Sequence, residues 1–130
     1  MSEATTTAQV LELYREAWDS GDASAFGNLF TEDATYVIFT GHALCGRKQI
    51  QNDHHEVFTR WQKGTRLLVE ALQTTMLDDN TAVILTQGGI GTESIEFDKF
   101  QTFTLVRREE RWFIAAFQNT EMSAHADIPR

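Results

Sequence analysis

Residues 101–120 read QTFTLVRREERWFIAAFQNT. Two apolar runs, Phe103–Val106 and Trp112–Phe117, flank a charged tip, Arg107-Arg108-Glu109-Glu110-Arg111. That is the pattern of one long β-hairpin. Period-two alternation puts Trp112, Ile114, Ala116 and Gln118 on one face of the second arm. Phe113, Ala115, Phe117 and Asn119 fall on the other, and a bulge would exchange the later residues. In the first arm Gln101, Phe103 and Leu105 share a face. Both faces of the second arm are apolar, so the hairpin needs helices on one side and a second sheet or subunit on the other.

The segments upstream supply the helices. Val10, Leu11, Tyr14, Ala17 and Trp18 form an amphipathic stripe, which predicts a helix over Thr7–Ser20 with Gly21 as its stop. Residues 1–6 are polar and are expected to fray. Asp22 has the spacing to cap a short helix, Ala23–Leu29. Thr31-Glu32-Asp33 reads as a turn, Thr35–Thr40 as a strand, and Gly41–Gly46 as a loop or short return strand. A third helix is predicted over Arg47–Gln62. Two long strands, Arg66–Leu77 and Ala82–Gly91, meet at Asp78-Asp79-Asn80, a turn signal. Gly91–Asp98 links them to the hairpin, and the tail, Glu121–Arg130, is expected to be loose. Helices first and an antiparallel meander last define an α+β class, with helices on one face of a curved sheet. Neither a repeat nor a linker divides the chain, so 1–130 reads as a single domain.

With 130 residues the chain can bury a substantial core, and its nine Phe and three Trp suggest a core or cavity lined by rings. The formal net charge of −8 and the absence of a basic stripe argue against nucleic acid and against an anionic membrane surface. The opening residues carry no signal-peptide pattern, and no apolar run is long enough to span a bilayer. A single cysteine, Cys45, leaves no internal disulfide. A reduced, cytoplasmic setting is expected.

Several short stretches resemble one family in order and spacing. They are Trp18-Asp-Ser-Gly-Asp22, Leu29-Phe-Thr-Glu-Asp-Ala34, Gly46-Arg47 with Ile50 and His54, Gly64-Thr-Arg-Leu67, and Leu105 through Thr120. Together they resemble the nuclear transport factor 2-like (SnoaL-like) superfamily, and within it the SgcJ/EcaC group. The resemblance implies a cone-shaped, cystatin-like fold: three N-terminal helices on a curved, mostly antiparallel sheet that encloses a pocket. It also implies pairing of two subunits through the convex sheet face, and a setting in polyketide or enediyne biosynthesis. Relatives of this fold include cyclases, ketosteroid isomerases, dehydratases and non-catalytic binding domains. One departure is Gln118, where relatives often have His.

Candidate site residues follow from the residues themselves. Ile50, His54, Val57, Phe58 and Trp61 share about a third of the third helix's circumference, with His54 near the middle. An imidazole there faces a cavity as an acid/base or hydrogen-bonding group, or else is a core histidine tied to a backbone carbonyl. His55 falls at the arc's edge, on the solvent side. Tyr14 centres the first helix's stripe and its hydroxyl needs a partner. These two are the candidate catalytic residues. Trp18, Tyr36, His42, Phe58, Trp61, Gln101, Phe103, Gln118 and Asn119 are the candidate ligand contacts. Arg47 opens a helix, where a cation is disfavoured, and is expected to be offset by a carboxylate such as Asp53 or Glu56, or by an anionic ligand. Asp22 and Asp33 read as structural. No Asp or Glu is placed on the apolar face of either long helix, and no side-chain set has metal-ligand spacing. No metal and no cofactor is therefore expected.

Two functions remain open. One is a cofactor-free proton-transfer enzyme acting on a small hydrophobic molecule, by cyclisation, isomerisation or dehydration. The other is a non-catalytic binding or accessory dimerisation domain with the same pocket.

Overall fold

The computed structural model describes residues 3–122. The elements in order are α1 (Thr7–Ser20), α2 (Ala23–Gly27), β1 (Phe30–Val37), β2 (Ala43–Cys45) and α3 (Arg47–Glu56). A π-helical turn (Val57–Trp61) follows, then β3 (Arg66–Asp78), β4 (Thr81–Gly91), β5 (Lys99–Arg108) and β6 (Arg111–Glu121). The six strands form one sheet in the order β2-β1-β6-β5-β4-β3. Every pairing is antiparallel except β1 with β6. The class is α+β with a mostly antiparallel open sheet.

The opening hairpin is β5–β6, turning through Glu109 and Glu110, both at positive φ. The register shifts at Ala115: Leu105 pairs with Ile114, but Thr104 pairs with Ala116. The bulge exchanges faces for the residues beyond it. Trp112, Ile114 and Phe117 are all buried, with Asn119 following on the same side, while Gln118 is exposed. Simple alternation along β6 is therefore corrected after residue 115, and the inner face carries one continuous apolar stripe.

α1 keeps its expected bounds and buries Val10, Tyr14, Ala17 and Trp18. Gly21, at φ 66°, donates its N–H to the carbonyls of Ala17 and Trp18, which closes the helix. The helix start corrects the expected fraying of residues 1–6 for those described. Thr6 and Gln9 form a reciprocal capping box, and Thr5 also donates to Gln9 Oε1. Ala4 is buried, its carbonyl accepts from Trp112 N, and Glu3 pairs with Arg111. The tail expected to be loose lies, from residue 123 onward, outside the described residues. Asp22 caps α2 by accepting from Ala25 N, as its spacing predicts, but α2 is shorter than expected.

Thr31-Glu32-Asp33 is not a turn. The three residues belong to β1, which starts at Phe30 because Leu29 O accepts from Ile114 N and Phe30 pairs with Ile114. A register shift between Phe30 and Thr35 turns Glu32 and Asp33 to solvent, which a strand pattern read by alternation cannot show. The strand expected at Thr35–Thr40 ends three residues earlier, in a turn where Gly41 N bonds Ile38 O. The third helix also departs from expectation. Its α-helical part stops at Glu56, and the last turn widens into a π-turn. That wider turn leaves Phe58 buried and Trp61 61% exposed.

One glycine shapes the inner sheet face. A Cβ on Gly88, in β4, would lie 2.5 Å from Leu68 O and 2.9 Å from Gln101 Nε2. The missing side chain makes the room in which the Gln101 amide sits.

Candidate functional site

Helices α1 and α3 close over the inner face of β1, β4, β5 and β6 around a cavity of about 570 Å³. Its apolar wall includes Ile38, Leu44, Val57, Leu67, Val69, Ile90 and Phe103. The alternation of β5 and the helical stripe of α1 bring the polar groups to it.

Tyr14 and Tyr36 form a buried pair in the cavity wall. Their hydroxyls lie 2.7 Å apart and both residues are buried. Tyr36 reaches this place because β1 runs parallel to β6, which sets it beside Phe117 with the rings stacked 4.2 Å apart. Burial raises both phenol pKa values, so both hydroxyls stay protonated at neutral pH. Two hydroxyls carry two protons, and the bond between them uses one. The second O–H remains available to a ligand.

His54 sits beside this pair, stacked on Phe26 at 4.2 Å and edge-on to Tyr36 at 4.8 Å. Its Nδ1 lies 2.8 Å from Ile50 O, one turn back in α3. A carbonyl only accepts, so Nδ1 carries the proton and Nε2 the lone pair. Burial pushes its pKa down to about 4, against a smaller opposing pull from the Ile50 carbonyl and Asp53. His54 is thus neutral at pH 7, a buried ring bonded to a backbone carbonyl that also lines the cavity.

The sheet adds amides. Gln101 Oε1 accepts from Thr86 Oγ1 at 2.6 Å, which leaves its amide N–H groups as donors at the cavity. Asn119, opposite Gln101 in the register, has a buried Oδ1 with no partner among the described residues. Trp18 is held by its indole N–H on Thr65 Oγ1. His42 and Trp61 lie exposed at the cavity's rim.

The structure thus brings Tyr14, Trp18, Tyr36, His42, His54, Trp61, Gln101, Phe103 and Asn119 to one cavity. It does not bring Phe58 or Gln118. Phe58 packs in the core against Trp18, Phe26 and His54, because the π-turn keeps it beneath the wall. Gln118 lies past the β6 bulge and faces outward. For Arg47 the expected carboxylate partner is corrected: its Nε donates to Phe30 O at 2.8 Å, and among the described residues it forms no ion pair.

Two charged residues lining the cavity were not expected, Asp53 and Lys99. The absence of a carboxyl group from the helices' inner faces is therefore corrected. At about 100° per residue Asp53 borders Val57 on the apolar arc of α3, so extending that arc by one position would have found it. Lys99 continues the inward alternation Phe103, Gln101 by one more step. Among the described residues no group of three or more His, Cys, Asp or Glu is placed to hold a metal ion. No described helix is long and apolar enough to cross a membrane.

No protein-family model and no curated protein matches the sequence. Solved structures do match. A domain of unknown function with a cystatin-like fold from Nostoc punctiforme is 26% identical, with a TM-score of 0.81, over 92% of this chain and 80% of that one. An NTF-2-like protein of unknown function from Shewanella oneidensis is 16% identical, with a TM-score of 0.76, over 88% and 95% of the two chains. A ketosteroid isomerase-like protein from Erwinia carotovora is 15% identical, with a TM-score of 0.71, over 89% and 93%. The fold of this chain is the cystatin-like fold, and it encloses a pocket.

Proposed function

We propose that this chain binds a small, mainly hydrophobic carbonyl compound and catalyses cofactor-free proton transfer on it, as in isomerisation, cyclisation or dehydration. The observation that carries this is the buried Tyr14–Tyr36 hydroxyl pair, with its spare O–H, beside the neutral ring of His54. A carbonyl oxygen accepts that O–H and gains stabilisation as it becomes an enolate in an apolar site. The His54 Nε2 lone pair takes the proton from the adjacent carbon. A base whose conjugate acid has a pKa of about 4 is weak. Enolisation tolerates such a base when the oxyanion is well held. Asp53, on the same wall, stabilises the imidazolium that forms.

The resemblance to the SgcJ/EcaC group supports a place in polyketide- or enediyne-type metabolism. Pairing as a homodimer through the sheet face away from the helices belongs to the same proposal. Leu85 and Phe100 stand 41% and 42% exposed there. The second reading is non-catalytic binding in the same cavity. It is favoured by the packing of His54 against Phe26, which suits a wall as well as a base.

The test is α-deuteration of β-tetralone in deuterated water, followed by proton NMR. The protein should accelerate exchange, and His54→Gln and Tyr36→Phe should each lower the rate by about a hundredfold. Binding seen in tryptophan fluorescence without any exchange selects the non-catalytic reading. If the ketone neither binds nor exchanges, the pocket reading fails.

A further inference from the structure

Lys99 is the lysine or arginine among the residues lining the cavity. Its side chain is 10% exposed, and its ammonium lies 3.0 Å from Asp98 Oδ1, whose own side chain is 50% exposed. Its other near neighbour is the ring of Phe39, 4.6 Å from Nζ to centroid. An ammonium has three N–H donors. Asp98 takes one and the Phe39 ring covers a face, so among the described residues the remaining donor capacity of this nearly buried side chain is unspent. A buried cation needs compensation beyond one water-screened carboxylate. Two residues on along the same inward face, Gln101 presents amide N–H groups because Thr86 occupies its oxygen. Lys99 and Gln101 together are a donor set with charge, and they lie on the sheet wall, whereas the tyrosine hydroxyl pair is held by α1 and β1.

Resting on the pocket reading above, we infer that the ligand is an apolar acid whose carboxylate is held by Lys99 and Gln101, with its hydrophobic body across the cavity. The chain's net charge of −8 works against anions at long range. That field is screened within about 8 Å at physiological salt, whereas a charge-assisted hydrogen bond to a nearly buried ammonium is screened much less. Local chemistry therefore decides. Asp98 competes with the ligand for Lys99 and tunes the affinity.

Titration calorimetry at pH 7 with naphthoic acid and naphthalenemethanol tests this, since the two share a ring system and differ in charge. The acid should bind about tenfold more tightly than the alcohol, the effect of one charge-assisted hydrogen bond. Lys99→Met should remove the acid's advantage over the alcohol. Asp98→Asn, at a half-exposed side chain, should tighten the acid alone, and it carries the test if Lys99→Met does not fold. Equal binding of acid and alcohol by the wild-type protein overturns the acid assignment and leaves the pocket reading standing. So does a preference for the acid that survives Lys99→Met, or an acid affinity that Asp98→Asn does not raise. Failure of both compounds to bind overturns the pocket reading together with the acid assignment.

Discussion

His54 couples the site to stability. Its folded pKa of about 4 lies below the ordinary histidine value of 6.5, because burial disfavours the imidazolium. The unfolded chain therefore binds the proton first as pH falls. The stability contributed by the neutral ring is full above pH 6.5, declines below it, and is gone once pH drops past about 4. The loss is on the order of 3 kcal/mol, from a shift of this size at about 1.4 kcal/mol per pH unit. Urea melts at a series of pH values should show that slope between pH 6.5 and 4, and His54→Gln should flatten it. The sequence made His54 legible, because its place on an apolar arc needs only helical periodicity. It left the choice between cavity and core open, and the structure shows both at once. Tyr36 was legible as a candidate ligand contact, but its bond to Tyr14 was not, since the two lie on elements whose contact depends on the β1–β6 pairing.

At the level of elements, local pattern succeeded where one element explains itself. The bounds of α1 follow from its stripe and from Gly21. The capping box at Thr6 and Gln9 carries a sequence signature, a Thr followed three residues later by Gln, which the expectation of fraying over residues 1–6 passed over. Removing it by Thr6→Ala should cost about 1 kcal/mol in a denaturant melt and leave ligand binding unchanged, since the cap is remote from the cavity. Irregular elements were the ones misread. The β6 bulge moves Asn119 inward and Gln118 outward, the β1 shift places Glu32 and Asp33 in a strand, and the π-turn separates Phe58 from Trp61. Each changes the count of residues per repeat by a fraction that composition does not record. The start of β1 is set by neighbouring backbone, through the bond from Ile114 N to Leu29 O.

Across the whole molecule the sheet has one face under the helices and one without them. On the second, Leu85 pairs with Thr102, Val83 with Thr104, and Phe100 with Thr120. The proposed homodimer buries this face. Sedimentation equilibrium at micromolar concentration should give a dimer, and Leu85→Arg should give a folded monomer with thermal stability reduced by no more than the lost interface. A wild-type monomer would overturn the pairing. What the sequence by itself determined is the class and order of elements and a helical wall bearing Tyr14, Trp18 and His54. Periodicity encodes those, because each helix or strand must hide its own apolar side. Only the tertiary structure decided that Tyr36 meets Tyr14, and that Asn119 enters the cavity while Gln118 leaves it. Those outcomes depend on a parallel pairing between strands far apart in sequence and on single-residue register shifts. Both are settled by long-range backbone hydrogen bonds rather than by local preference.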